Sequence, residues 1–250
     1  MKRAIIFAYG IAAYVLFLVV FSYMAGFLLS FLVPKGINSE SLSDTGPENA
    51  LCINIGLIAL FGFFHSLLAR DRVKAVLLRV LPRAAERSTY VVQSSLCLAL
   101  AMWQWQALPG TLWQVEGAAA LFAYVLFGIG AGLVLWSTFL IDHFELFGLR
   151  QVWTHLRRAD MPESEFRTPA LYRIVRHPMQ LGVIILVFAT PHMTFGHLLF
   201  AGSMTAYIFV GLYFEERALV RTFGERYRAY QRTVPMLFPI PGQRLKPASP

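Results

Sequence analysis

Charge is scarce in this chain: of 250 residues only 14% are Asp, Glu, Lys or Arg, while 57% are hydrophobic and the mean hydropathy is +0.56. That shortage excludes an ordinary water-soluble core and points to membrane spans. Cysteine is nearly absent. Cys52 and Cys97 lie within apolar runs with no metal-ligand spacing between them, so neither a disulfide nor a metal site is expected and both read as small core residues. Acidic residues number 14 against 22 Lys and Arg, for a net charge of +8. No soluble basic module accompanies that excess, so membrane lipid and not nucleic acid is the expected partner. A strand is also lacking before Gly128-Ile129-Gly130-Ala131-Gly132. This excludes a nucleotide-binding glycine loop and leaves Gly128 and Gly132 as a small-residue face on which helices pack.

What the chain has instead is long apolar runs. A span needs about 20 apolar residues, and residues 5–33, 51–69, 90–108 and 117–141 supply them. A fifth run, 181–214, is too long for one straight crossing and is interrupted over 190–197. It reads as a helical hairpin with a short first arm. The N-terminal run far exceeds the apolar core of a cleavable signal peptide and is expected to stay as an anchor. Lys35 is the only one of the 22 Lys and Arg residues that this topology assigns to the outer side. Positive residues collect on the cytoplasmic side. The expected fold is therefore an all-α polytopic membrane protein of four spans plus a C-terminal helical hairpin, with both termini cytoplasmic.

Polar residues gather at the ends of these spans. The segment Tyr172-Arg173-Ile174-Val175-Arg176-His177-Pro178-Met179-Gln180-Leu181-Gly182 leads into the hairpin, and ionisable groups at such a threshold tend to mark function. Pro178 suits the first turn of a helix and leaves the following N–H groups open to a ligand. Gly182 allows a ligand or a helix to approach closely. Glu215 and Glu216 fall at the hairpin's other end, with no basic partner three or four residues ahead; solvation, or pairing with distant arginines, is the bland account. Beyond them Leu219, Phe223, Tyr227 and Tyr230 repeat at helical spacing, the pattern of an interfacial amphipathic helix that can cap a pocket. Asp142 and His143 end the fourth span on the same side and stand as a candidate proton-handling pair or as a polar helix cap. His65, Tyr90 and Arg150 occupy that face too. His192 and His197 belong to the far turn, about 20 Å away for a first arm rising 1.5 Å per residue.

The run "RHPMQLG" and, some thirty residues on, "FEERALVRTFGERYRAYQRTVPMLFPIP" resemble the membrane methyltransferases that include isoprenylcysteine carboxyl methyltransferase and bacterial phospholipid methyltransferases. The segments "FLIDHFELFGLRQVW" and "ATPHMTFGHLLFAGSMTAY" extend the likeness and resemble the bacterial methanethiol S-methyltransferases, which make dimethyl sulfide. "FFHSLLAR" and "ERSTYVVQSSL" are similar to these and also to NnrU-like membrane proteins. The resemblance implies S-adenosyl-L-methionine as cofactor, with Tyr172, His177, Pro178, Met179, Gln180, Gly182, Glu215 and Glu216 around it; on chemical grounds Arg173 or Arg176 suits its carboxylate. Many members of the wider family carry tyrosine where this chain has Gln180, so no stacking role transfers there. It further implies a small volatile thiol as substrate. By position alone, His65, Tyr90 and Arg150 on the cytoplasmic face are candidates to line its pocket or merely to tie loops together, and Asp142 or His143 is the candidate group that takes the thiol proton. No metal and no obligate protein partner are expected. The whole chain then reads as one domain, with spans and loops over 1–171, a cofactor-binding hairpin and interfacial helix over 172–241 and a flexible tail over 242–250. It is placed in the inner (cytoplasmic) membrane with its site facing the cytoplasm. The runner-up readings are a lipid or isoprenylcysteine-type methyltransferase and a non-catalytic NnrU-like membrane protein.

Overall fold

A computed structural model describes residues 2–39, 46–161 and 166–239. The tail expected over 242–250, together with Glu40 and Asp44, lies outside the described residues. In chain order the helices are α1 (Lys2–Leu29), α2 (Pro47–Leu68), α3 (Asp71–Leu77), α4 (Arg83–Gln104), α5 (Gly117–Ile141), α6 (His143–Leu146), α7 (Leu149–Arg157), α8 (Pro178–Phe188), α9 (Phe195–Phe223) and α10 (Glu225–Thr233). A 3-10 turn covers Ala170–Arg173. The strands described are β1 (Thr111–Gln114) and β2 (His192–Thr194). Apolar runs become helices because lipid offers no partner to backbone N–H and C=O groups, so each must pair within its own segment.

Helices α1, α2, α5 and α9 are long and apolar enough to cross a membrane. Helix α4 differs from the span expected over 90–108: it starts at Arg83, carries Glu86 and Arg87 in its first turns and ends at Gln104. The late apolar region does split into a short arm, α8, and a long one, α9. Glu215 and Glu216 lie inside α9 and not at its end, because the helix runs on to Phe223. The amphipathic segment expected as one helix is broken at Gly224, whose φ of +57° and ψ of −132° suit a residue without Cβ.

The chain forms two compact units. The first comprises Met1–Val115, His143–Glu163 and His192–Ser203. Here α1 packs on α4 and α7, and α2 on α4. Gly10 admits Val152 of α7, whose methyl would stand 2.5 Å from a Cβ at that position. Phe200 lies against Phe27 and edge-on to Trp105 in a fully buried aromatic centre. Lys35 is only 5% exposed. It donates to the Trp103 carbonyl at 2.6 Å, near the end of α4 where helix carbonyls run out of internal partners. His192, read from the sequence as a turn residue, belongs to β2, which pairs antiparallel with β1, Gln114 opposite His192 and Trp113 opposite Met193; His197, read likewise, instead lies in the first turn of α9 and is fully buried. The pairing gives the turn's backbone groups the partners they need.

The second unit comprises Glu116–Asp142, Ser164–Pro191 and Met204–Pro250. Its helices α5 and α8 touch through glycine. A Cβ on Gly130 would lie 2.8 Å from the Gly182 carbonyl oxygen and 2.8 Å from the Leu186 amide, and one on Gly182 would lie 2.8 Å from the Gly130 oxygen. The packing glycine is thus Gly130. Gly128 and Gly132, expected to carry the contact, have nothing within 4 Å of a Cβ; both lie two residues from Gly130 and so project well away from it around the helix. Cys52, expected in the core, is exposed, and Cys97 is half-buried.

Candidate functional site

The site in the second unit is built around one carboxylate. Glu216 Oε1 accepts from Arg176 Nε at 2.6 Å, His177 Nε2 at 3.0 Å and the Tyr227 hydroxyl at 3.0 Å. Its Oε2 accepts from Arg176 Nη2 at 2.9 Å and Gln231 Nε2 at 2.8 Å. The two arginine contacts form a bidentate pair, the strong arrangement for guanidinium and carboxylate. Because an ionised carboxylate only accepts, His177 carries its proton on Nε2. The Arg176 and Glu216 side chains are 10% and 14% exposed and His177 is buried.

The same arginine ties down the chain beyond α10. Its Nη1 donates to the carbonyls of Gln231 and Val234. Its backbone amide donates to the Pro235 carbonyl at 2.9 Å, and the next amide, that of His177, to the Met236 carbonyl at 3.0 Å. Pro178 then opens α8 with no N–H to satisfy. The Met179 and Gln180 amides that follow have no acceptor within their own helix. Tyr230 closes the other side by donating to the Tyr172 carbonyl, and Phe166 sits against Phe223, Tyr227 and Tyr230.

Three phenols surround this arrangement, and each is held above the usual tyrosine range. Burial raises Tyr172, with the Glu215 carboxylate adding to it. Burial again leads for Tyr227, followed by Glu216, and for Tyr230. All three therefore stay protonated and act as donors. Glu215, by contrast with Glu216, is exposed and bears electrostatically on Tyr172.

The sequence-derived residues thus fall into groups. The structure brings Tyr172, Arg176, His177, Pro178 and Glu216 into one assembly. Arg173 is exposed and donates to the Thr168 carbonyl, and Gly182 faces α5. Asp142 ends α5 in the second unit. His143 opens α6 in the first unit, where its Nε2 lies 2.7 Å from the Tyr14 hydroxyl beside Phe147. Also in the first unit, His65 Nε2 meets the Tyr90 hydroxyl at 2.7 Å and its Nδ1 meets Ser94 Oγ at 3.0 Å. Arg150 lies 3.8 Å from Glu145.

A family model described as NnrU protein matches residues 53–239. The chain is 46% identical to methanethiol S-methyltransferase 2 of Bradyrhizobium diazoefficiens, over 95% of this chain and 91% of that protein. It is 44% identical to the methanethiol S-methyltransferase of Mycobacterium tuberculosis, over 96% of this chain and 98% of that protein. The chain belongs to the methanethiol S-methyltransferase family. A further member, from Crocosphaera subtropica, is 41% identical over 98% of this chain and 95% of its own length. No solved structure matches.

For a methanethiol S-methyltransferase family member, several partners in these networks escape sequence reasoning. Gln231 and the carbonyls of Val234, Pro235 and Met236 leave no trace in residue type, since any residue offers a carbonyl. Tyr14 is separated from His143 by 129 residues. Ser94 did leave a signal: it lies four residues after Tyr90 on α4, so both face the same way toward His65.

Proposed function

We propose that this chain is an integral-membrane methyltransferase that methylates methanethiol to dimethyl sulfide with S-adenosyl-L-methionine as donor. The observation that carries the reading is similarity along nearly the whole chain to proteins named for that activity. The same extent supports treating the chain as one methyltransferase domain.

The second unit's residues fit such a donor. Its cationic groups and ribose diol suit the exposed Glu215 carboxylate, its carboxylate suits the exposed Arg173, and its acceptor atoms suit the open Met179 and Gln180 amides. Arg176, His177 and Glu216 are committed to one another, so their part is to hold α8's first turn in place. S-adenosyl-L-methionine supplies an activated methyl group on a sulfonium centre. The chain's residues have to orient a thiol sulfur and help it lose its proton. Asp142, next to the Tyr14-anchored His143, is the proposed acceptor, and His65, Tyr90 and Arg150 are the proposed polar residues on the substrate side.

Purified protein given methanethiol and donor should release dimethyl sulfide. Release of no methylated sulfide, with methylation of a lipid amine or of an isoprenylcysteine instead, would replace this reading by the runner-up. Asp142→Asn should slow methyl transfer by about 100-fold with donor affinity unchanged. Raising the pH should restore part of the rate, because more of the thiol is then already ionised. Unaltered turnover at neutral pH would make Asp142 a helix cap only. The clustering of basic residues on one side of the expected topology supports the cytoplasmic membrane, with both termini and the site inside; a periplasmic signal from a C-terminal reporter fusion would reverse that placement.

A further inference from the structure

The second unit carries a groove of about 580 Å³ along α9, which borders the Glu216 assembly through Glu216, Gln231 and Met236. Phe209, Leu212, Tyr213 and Val220 give it an apolar wall, and Arg217 and Arg221 flank its polar end. These residues recur at three and four positions along one helix, so they form a single stripe that changes from apolar to basic. We propose that this groove binds an anionic phospholipid, with an acyl chain along Phe209, Leu212 and Tyr213 and the phosphate between Arg217 and Arg221.

Charge is the deciding argument. Two arginines one turn apart on a helix repel each other, and both are exposed. Neither has a carboxylate partner among the described residues. Glu216 also lines the groove, but its two oxygens are occupied by Arg176, His177, Tyr227 and Gln231. It offers nothing to Arg217 or Arg221. The Arg217 guanidinium instead lies 4.4 Å from the centre of the Tyr213 ring, which leaves its edge donors for an outside acceptor. Phosphate is the anion that a pair of guanidinium forks matches, and α9 is a candidate span that holds the groove at the membrane. A zwitterionic lipid would bring its own cation to a site that already has two.

The test uses the full-length protein in nanodiscs of phosphatidylcholine, with or without phosphatidylglycerol. Phosphatidylglycerol should raise the unfolding temperature, and native mass spectrometry should show it retained. In Arg217→Gln/Arg221→Gln the shift should vanish and the dissociation constant for phosphatidylglycerol should rise about tenfold or more. The charge-matched variant Arg72→Gln/Arg79→Gln, altered in the first unit, should keep both effects. Loss in both variants would reduce the effect to net charge and overturn the site. So would an equal temperature shift from inorganic phosphate added to the phosphatidylcholine nanodiscs.

Discussion

Glu216→Gln is expected to destabilise the protein by about 3–5 kcal/mol, the range for breaking a mostly buried ion pair from one side. The substitution keeps the shape of the side chain and removes its charge. Arg176 would then hold a guanidinium at 10% exposure with two backbone carbonyls and no counter-charge, and His177 and Tyr227 would compete for the one remaining amide oxygen. Thermal unfolding in detergent reads the loss. Donor binding should fall with it, because the first turn of α8 hangs from this pair. Removing both charges in Arg176→Met/Glu216→Met should recover part of the stability, since the larger part of the penalty comes from the stranded charge. Glu215→Gln should weaken donor binding while staying within about 0.5 kcal/mol of the parent in stability, as an exposed substitution does. If Glu216→Gln unfolds at the parent's temperature, the carboxylate is not what holds the assembly.

Gly130→Leu is expected to disrupt the pairing of α5 with α8 outright, with a loss at or beyond the upper end of the about 1–3 kcal/mol typical of overpacking. Its Cβ alone would stand 2.8 Å from the Gly182 oxygen and from the Leu186 amide. Those are backbone atoms and cannot rotate aside, so the helices must separate. Gly132→Leu, two residues away with open space at its Cβ, is the control and should unfold close to the parent. Equal unfolding temperatures for the two variants would show that α5 and α8 do not depend on this contact.

The glycines show how far sequence reasoning reaches. That a Gly-rich run inside a span packs helices was legible, because the alternative needs a strand that is not there. Which glycine makes the contact was not, since it depends on how α5 is rotated about its axis, and an apolar helix with lipid-like residues on every side carries little record of that angle. The His177–Pro178 entry and the glutamate pair were legible as a place. Their division of labour was not: adjacent glutamates look alike in sequence, while in the fold one is enclosed by Arg176 and the other is exposed. The overlong α9 and the stop at Gly224 were misread for a related reason, as the sequence pattern there is helical on both sides of a residue whose φ alone breaks it. Strands β1 and β2 are so short that only their partnership, across some 80 residues, defines them.

The amides of Arg176 and His177 find their acceptors at Pro235 and Met236, which has a bearing on when the site exists. During synthesis the chain emerges from its N-terminal end, so α8 leaves the ribosome well before the carbonyls that will hold its first turn. All the candidate spans can be in the bilayer while that turn is still untethered. A chain interrupted after Thr233 would have every apolar helix described and would lack the two carbonyls. Membrane insertion and completion of the site are therefore separate events, and the second awaits a short stretch with no membrane-crossing role of its own.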